Sequence, residues 1–175
     1  MASAALASTG DIQTFINEYF EAWSGTDEDR ILSYYAETVV LEIPGTLMNG
    51  KAAVRDQFVR PFVAGFPGNR HITKNMIFGE DLVVVEWSFE ANHKGPFAGR
   101  AGTGTAVKLP GCGVYQFDPV NRIITAGRIY FDVTTLLKQI SSHQPQVLQN
   151  LLLSWFASRA LASTSTPSLG LNTDK

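Results

Sequence analysis

The chain has 175 residues, of which 45% are hydrophobic and 17% are charged, and its formal net charge at pH 7 is −2. This balance fits one globular domain with a substantial apolar core. Nucleic acid and anionic membranes select for clustered Lys and Arg, so the charge pattern argues against both partners. The single cysteine, Cys112, excludes an internal disulfide, and three histidines without ligand spacing predict no metal site.

The two ends of the chain differ in composition from its middle. Residues 1–9 are small and apolar without Lys or Arg, which makes a poor signal peptide, and we expect them to be disordered. No stretch approaches the ~18 apolar residues that a membrane span needs, so we expect a cytoplasmic protein. Residues 162–175 are rich in Ser, Thr and Pro and are expected to form a disordered tail. The predicted folded domain therefore covers residues 10–161.

Helical periodicity occurs in the first third of the chain and again near its end. Apolar residues recur at three- and four-residue steps over residues 11–24, and shorter patterns predict helices over 27–36 and 50–63. Residues 135–140 predict a short helix, and residues 144–161 carry a further apolar stripe.

Between these helices the periodicity changes to that of strands. Alternating apolar and polar positions, separated by turn residues, mark each candidate strand. The predicted strands cover residues 39–43, 70–78, 82–93, 105–109, 112–118 and 122–132. Helices followed by antiparallel strands predict an α+β fold, in which helices close the concave face of a curved sheet and leave a pocket.

Two motifs in the strand region resemble those of a known family. The segment from His93 to Gly99 fits the pattern H-x-G-x-F-x-G, and Thr103-Gly104 follows. Residues 130–140 resemble a closing Asp-x-x-x-Leu-Leu-Arg-Gln-Leu signature. Together they resemble the SnoaL-like polyketide cyclases, or ester cyclases, of the nuclear transport factor 2-like superfamily. The resemblance covers roughly residues 10 to 140.

That resemblance implies a cone-shaped fold, often dimeric, with a buried pocket for an apolar substrate. The family's cyclases close a ring by intramolecular aldol chemistry with an acidic residue and no metal or organic cofactor. In this chain, Ile129 stands where the cyclases carry their catalytic Asp. Gly113 and Tyr115 stand where they carry an assisting Gln and His. His93 and Asp132 are the motif residues that this chain retains.

Asp132 is the leading candidate for acid/base chemistry. It ends the last predicted strand and shares a face with Tyr130 and Arg128 on a two-residue period. Beside apolar walls its pKa would be raised towards the working pH. The alternative is an N-cap for the following helix, through the backbone N–H groups of Thr134 or Thr135.

His93 has two interpretations as well. Imidazole transfers protons near neutral pH, so His93 could assist Asp132. The alternative is a structural histidine that hydrogen-bonds the carbonyls of the Gly-rich loop. Further residues are candidates for contact with a substrate, namely Trp87, Tyr115, Arg128, Phe97, Tyr35 and Glu42.

Three functions remain open at this stage. The first is a cofactor-independent cyclase or isomerase acting on a small apolar carbonyl compound, with Asp132 as acid/base, His93 as its assistant, and Tyr130 or Tyr115 holding the oxyanion. The second is a binding module for a lipid-like or pigment-like molecule, favoured by Ile129. The third is an epoxide or ester hydrolase in which Arg128, Asp132 and Glu86 converge.

A homodimer is also expected from the sequence. An open sheet with Val83, Val85 and Phe89 on one face would leave an apolar patch that a second subunit could cover. Glu86 lies between these residues and is interpreted as facing solvent or a dimer partner, because an unpaired buried carboxylate is costly.

Overall fold

The computed structural model describes residues 9–79, 81–118 and 120–141. Its helices are α1 (Thr9–Trp23), α2 (Glu28–Leu32), α3 (Lys51–Val54), α4 (Arg60–Gly65) and α5 (Val133–Ser141), with a π-helical turn (Arg55–Val59) between α3 and α4. Its strands are β1 (Tyr35–Ile43), β2 (Thr46–Asn49), β3 (Arg70–Phe78), β4 (Leu82–Asn92), β5 (Ala106–Asp118) and β6 (Ile123–Phe131). The predicted helix over 144–161 and both predicted disordered ends lie outside the described residues, except that Thr9 begins α1.

The six strands form one sheet in the order β2-β1-β6-β5-β4-β3. Neighbouring strands pair antiparallel except β1 and β6, which are parallel. The predicted α+β class is therefore confirmed. No described helix is both long and apolar enough to cross a membrane.

The helices cover one face of the sheet, and the hydrophobic core lies between the helices and that face. On β4 the side chains of Val83, Val85, Trp87 and Phe89 are buried in this core, while Glu86 between them is exposed. The alternation in the sequence thus identified the two faces of β4. The prediction that Val83, Val85 and Phe89 form an exposed dimer patch is wrong, because the helices already cover that face.

Three element boundaries differ from the sequence prediction. Helix α2 ends at Leu32 instead of residue 36, because Tyr35 is already the first residue of β1. Strand β2 was not predicted; it pairs with β1 across the Pro44-Gly45 turn. The predicted strands 105–109 and 112–118 are one continuous strand, β5, which runs through Pro110 and two glycines.

The helix predicted over residues 50–63 is present but is not regular. Pro61, near the start of α4, has no N–H group for the helical bond to the carbonyl of Gln57, and the wider π-helical turn precedes it. Phe58 and Phe62 lie one above the other on this helix, with ring centroids 5.1 Å apart. Both rings face the sheet and help to line the interior cavity described next.

Candidate functional site

An aromatic cavity lies between the helices and the inner face of the sheet. Nine of its twelve lining residues are Phe, Tyr or Trp, and none carries a formal charge at neutral pH. The lining residues are Tyr19, Phe20, Trp23, Phe58, Phe62, His71, Trp87, Phe89, Leu109, Tyr115, Ile129 and Phe131. Its cavity volume is about 30 Å³. We call this space the aromatic cavity.

His71 is the imidazole of the aromatic cavity. Its ring stacks on Phe20 with centroids 5.0 Å apart and lies 5.3 Å from the Trp87 ring and 5.2 Å from the Phe89 ring. Its Nδ1 atom is buried and has no hydrogen-bond partner among the residues that the structure describes. Burial lowers the pKa of His71 to about 3, so the ring is neutral at pH 7.

Three tyrosine hydroxyls form a hydrogen-bonded group on another wall of the aromatic cavity. The hydroxyl oxygens of Tyr19 and Tyr35 lie 2.5 Å apart, and Tyr115 and Trp23 also hydrogen-bond Tyr19. Burial raises the pKa of Tyr19 to about 12, and it raises the pKa values of Tyr35 and Tyr115 well above their usual range. The three hydroxyls are therefore protonated at pH 7, and Tyr19 is the shared partner of the other two.

Two glycines on β5 leave room for the large rings of the cavity wall. A Cβ atom at Gly111 would lie 2.1–2.4 Å from three carbons of the Trp87 ring. A Cβ atom at Gly113 would lie 2.4–2.5 Å from three atoms of the Tyr115 side chain. Both rings lie flat against the strand where side chains would otherwise stand, which explains Gly111-Cys112-Gly113 inside a strand.

Asp132 does not line the aromatic cavity. It is exposed, and its carboxylate accepts hydrogen bonds from the Thr135 backbone N–H at 3.0 Å and from the Thr135 hydroxyl at 2.6 Å. These bonds lower the pKa of Asp132, contrary to the predicted rise beside apolar walls. The structure thus places Asp132 as the N-terminal cap of α5, which was the alternative interpretation.

His93 is fully buried but also lies outside the cavity lining. Its Nδ1 atom is 3.1 Å from the Thr103 hydroxyl, and its ring lies 5.4 Å from the Phe66 ring. Burial and the nearby Arg100 charge lower the pKa of His93. His93 thus contacts the loop through the Thr103 side chain and not through a loop carbonyl, and its buried Nε2 atom has no hydrogen-bond partner among the described residues.

The other residues of the first motif attach its loop to α4. The backbone N–H groups of Lys94 and Gly95 both donate to the Gly65 carbonyl, at 3.0 and 3.2 Å. The Phe97 ring packs on the rings of Phe62 and Phe66, with centroids 5.0 and 4.9 Å away. Phe97 therefore supports the cavity wall from behind and does not line the cavity.

The remaining predicted site residues separate into two groups. Trp87 and Tyr115 line the aromatic cavity, and Tyr35 lies behind it, bonded to Tyr19. The others are exposed, namely Glu42, Arg128 and Tyr130. Glu86, Tyr130 and Asp132 border an open surface groove outside the cavity.

The hydrolase arrangement is not present in the part of the chain that the structure describes. Glu86, Arg128 and Asp132 do not line the aromatic cavity, and no ion pair joins them. Glu86 instead accepts a hydrogen bond from the Asn75 amide at 2.5 Å. The same described residues contain no group of three or more His, Cys, Asp or Glu side chains that could hold a metal ion.

Sequence reasoning missed His71 as a cavity residue. The only signal in the sequence is that His71 lies near the start of β3, where side chains alternate between the two faces of the sheet. Its pairing with Phe89 on β4, which faces the core, decides which face that is. This register cannot be read from β3 alone.

Comparison with known proteins gives the family and the fold. The sequence matches the SnoaL-like domain family over residues 16–125, and no curated protein gives a significant match. A candidate SnoaL-like polyketide cyclase from Jannaschia sp. CCS1 is 18% identical, with a TM-score of 0.67 over 83% of this chain and 99% of that chain. AclR from Streptomyces galilaeus, described as a candidate hydroxylase, is 17% identical, with a TM-score of 0.67 over 91% of this chain and 100% of that chain.

A third solved structure names the fold directly. A protein from Catenulispora acidiphila with a ketosteroid isomerase-like fold, solved in complex with trimethylamine, is 16% identical. Its TM-score is 0.60 over 73% of this chain and 92% of that chain. The architecture is thus the nuclear transport factor 2-like fold. Because the family match also spans more than half of the sequence, this chain belongs to the SnoaL-like domain family.

Proposed function

We propose that this chain binds a small, neutral, largely apolar molecule in the aromatic cavity. The observation that carries the proposal is the combination of nine aromatic walls with a buried imidazole nitrogen that has no partner among the described residues. Ligand sites are typically apolar clefts with a few polar groups that fix orientation. Both the enzyme and the binding module predicted from the sequence require such a site.

The lining disfavours an anionic ligand. No Lys, Arg, Asp or Glu side chain lines the aromatic cavity, and His71, Tyr19 and Tyr115 are uncharged at pH 7. Bringing an anion into such a space without a partner is costly. The trimethylamine complex of the Catenulispora protein supports small-molecule binding in this fold.

Acetophenone, a small neutral ketone, is a suitable first probe for this proposal. We expect it to bind the wild-type protein and to bind at least tenfold more weakly to Ile129→Phe. Ile129 is 4% exposed and lines the cavity, so a larger side chain there occupies the space of the ligand. Titration followed by NMR measures the two dissociation constants.

The control for this titration is the same substitution on the outer surface. Ile77 is 67% exposed, so Ile77→Phe should bind acetophenone like the wild type. Equal affinity of the Ile129→Phe and wild-type proteins would place the binding site elsewhere and contradict the proposal.

A second candidate function is acid/base turnover of a carbonyl compound, as in a cyclase or isomerase. The specific observation in its favour is the unpartnered Nδ1 of His71, because a neutral imidazole can accept a proton from the carbon next to a carbonyl group. The low pKa makes His71 a weak base in the empty cavity. A developing enolate beside it would raise that pKa, because opposite charges attract.

Exchange of the methyl protons of acetophenone for deuterium tests this second candidate. We expect the wild-type protein to accelerate the exchange and His71→Gln to lose that acceleration. Asp132→Asn should keep it, because Asp132 lies outside the cavity lining. The opposite pattern, with loss only in Asp132→Asn, would restore the assignment made from the sequence. The exchange rate is measured from the NMR signal of the methyl group.

We also propose that the chain forms the homodimer expected from the sequence. Its contact face would differ from the one predicted at Val83, Val85 and Phe89. The outer face of the sheet carries exposed apolar side chains, including Val40 and Tyr130, beside the charged Glu86 and Arg128. A second copy placed on this face would leave the aromatic cavity accessible, since the cavity lies on the opposite side of the sheet.

A further inference from the structure

We infer that the indole N–H of Trp87 donates a hydrogen bond to an acceptor oxygen of the ligand, such as the carbonyl oxygen of a neutral ketone. This inference rests on the proposed binding function and adds the polar contact that orients the ligand. It assigns to Trp87 the role that the sequence suggested for Tyr115 or Tyr130.

The first argument is the state of the Trp87 nitrogen. Trp87 is 5% exposed, and its Nε1 atom is buried with no hydrogen-bond partner among the described residues. An indole N–H is a donor only, so it can be satisfied only by an acceptor. A buried donor without a partner costs about 1–3 kcal/mol. A ligand oxygen that accepted this bond would recover that free energy.

The second argument is that the Trp87 ring is fixed in place. Its far edge lies against Gly111 so closely that any Cβ there would overlap three ring carbons. The His71 ring packs on it from the neighbouring strand at 5.3 Å. The indole therefore cannot turn freely to find another partner, and little of its motion remains to be lost when a ligand binds.

The tyrosine hydroxyls of the cavity wall already belong to a hydrogen-bonded group. The hydroxyls of Tyr19, Tyr35 and Tyr115 bond one another, and the Trp23 side chain hydrogen-bonds Tyr19. Tyr130 is 52% exposed and does not line the cavity. The tyrosine oxygens therefore already bond one another, whereas Trp87 Nε1 has no partner among the described residues.

The two unpartnered nitrogens also suit a single carbonyl group. Both nitrogens belong to rings that contact each other, with centroids 5.3 Å apart. A hydrocarbon has no acceptor for the Trp87 N–H. The cavity should therefore discriminate by the presence of an acceptor and not only by shape.

Two probes of the same shape test this inference. Acetophenone carries a carbonyl oxygen, and α-methylstyrene carries a methylene group in its place. We expect the wild-type protein to bind acetophenone about tenfold more tightly, the effect of one buried hydrogen bond. In Trp87→Phe the two probes should bind with equal affinity, and in the control Tyr130→Phe the preference should persist, because Tyr130 is exposed and lies outside the cavity lining.

A second measurement uses the wild-type protein alone, in case Trp87→Phe does not fold. The indole N–H resonance of Trp87 should move on addition of acetophenone and stay in place with α-methylstyrene. Equal affinity for both probes, or a preference that survives in Trp87→Phe, would overturn the inference and leave the binding function intact. Failure of both probes to bind would overturn the proposed function and the inference with it.

Discussion

Acid is expected to destabilise this protein through His71, and His71→Leu should remove that part of the pH dependence. Burial lowers the pKa of His71 to about 3 in the folded chain, whereas an unfolded chain has a pKa near 6.5. As pH falls below about 6.5, the unfolded chain takes up a proton at His71 and the folded chain does not. The free energy of unfolding therefore decreases from pH 7 towards pH 3, by about 3 kcal/mol at pH 4.

Urea unfolding of the wild-type protein and His71→Leu between pH 7.5 and pH 4 measures this effect. The carboxylates Glu90, Asp118 and Asp132 also have lowered pKa values, and they too lose stabilising contacts in acid. They are present in both proteins, so the difference between the two pH curves reports His71. Curves that run parallel over this range would show that His71 is not buried as a neutral ring in solution.

His71 shows what can and what cannot be predicted from a single sequence. Period-two alternation on β4 correctly grouped Val83, Val85, Trp87 and Phe89, because a run of large apolar residues signals a buried face. Strand β3 has no such run, so nothing in its own residues marks His71 as inward. Only pairing with β4 does so, and strand register over a long separation is a tertiary property.

The interruption predicted inside β5 has a related cause. Pro110 and the glycines at 111 and 113 are turn residues by local propensity, and the sequence was divided there. In the folded chain the rings of Trp87 and Tyr115 occupy the places of the missing side chains. Packing of Trp87 from β4 against Gly111, and of Tyr115 against Gly113, outweighs the local preference of these residues for a turn. The resemblance placed an assisting Gln and His of the cyclases at Gly113 and Tyr115, and Tyr115 lines the aromatic cavity.

The resemblance to SnoaL-like proteins identified the fold correctly, but it directed attention to motif residues outside the cavity. His93 and Asp132 are embedded in loop and cap contacts. Motif residues can recur because they hold a backbone in place, and a pattern of letters does not separate that role from catalysis. The contact distances do separate them, and Gly95 of the same motif gives the sharpest case.

Gly95→Ala is expected to lower the free energy of unfolding by about 3 kcal/mol or more, at the upper end of the cost of overpacking. A Cβ atom at this position would lie 2.1 Å from the carbonyl oxygen of Ala64. That atom belongs to the backbone of α4, so no flexible side chain can move aside. Separating the loop from the helix would break the hydrogen bonds from the Lys94 and Gly95 N–H groups to the Gly65 carbonyl.

Gly25→Ala is a matched control, because a Cβ atom there also approaches an alanine carbonyl oxygen at the end of a helix. That distance, to Ala22, is 3.4 Å, an ordinary contact, so the expected change is within about 0.5 kcal/mol. Urea unfolding at pH 7.5 compares the two variants directly. If Gly95→Ala were as stable as Gly25→Ala, the loop would not be fixed to α4 as described, and the motif would need a chemical explanation after all. A large loss at Gly95 alone would assign the motif to the support of the cavity wall, since Phe97 of the same loop packs behind Phe62.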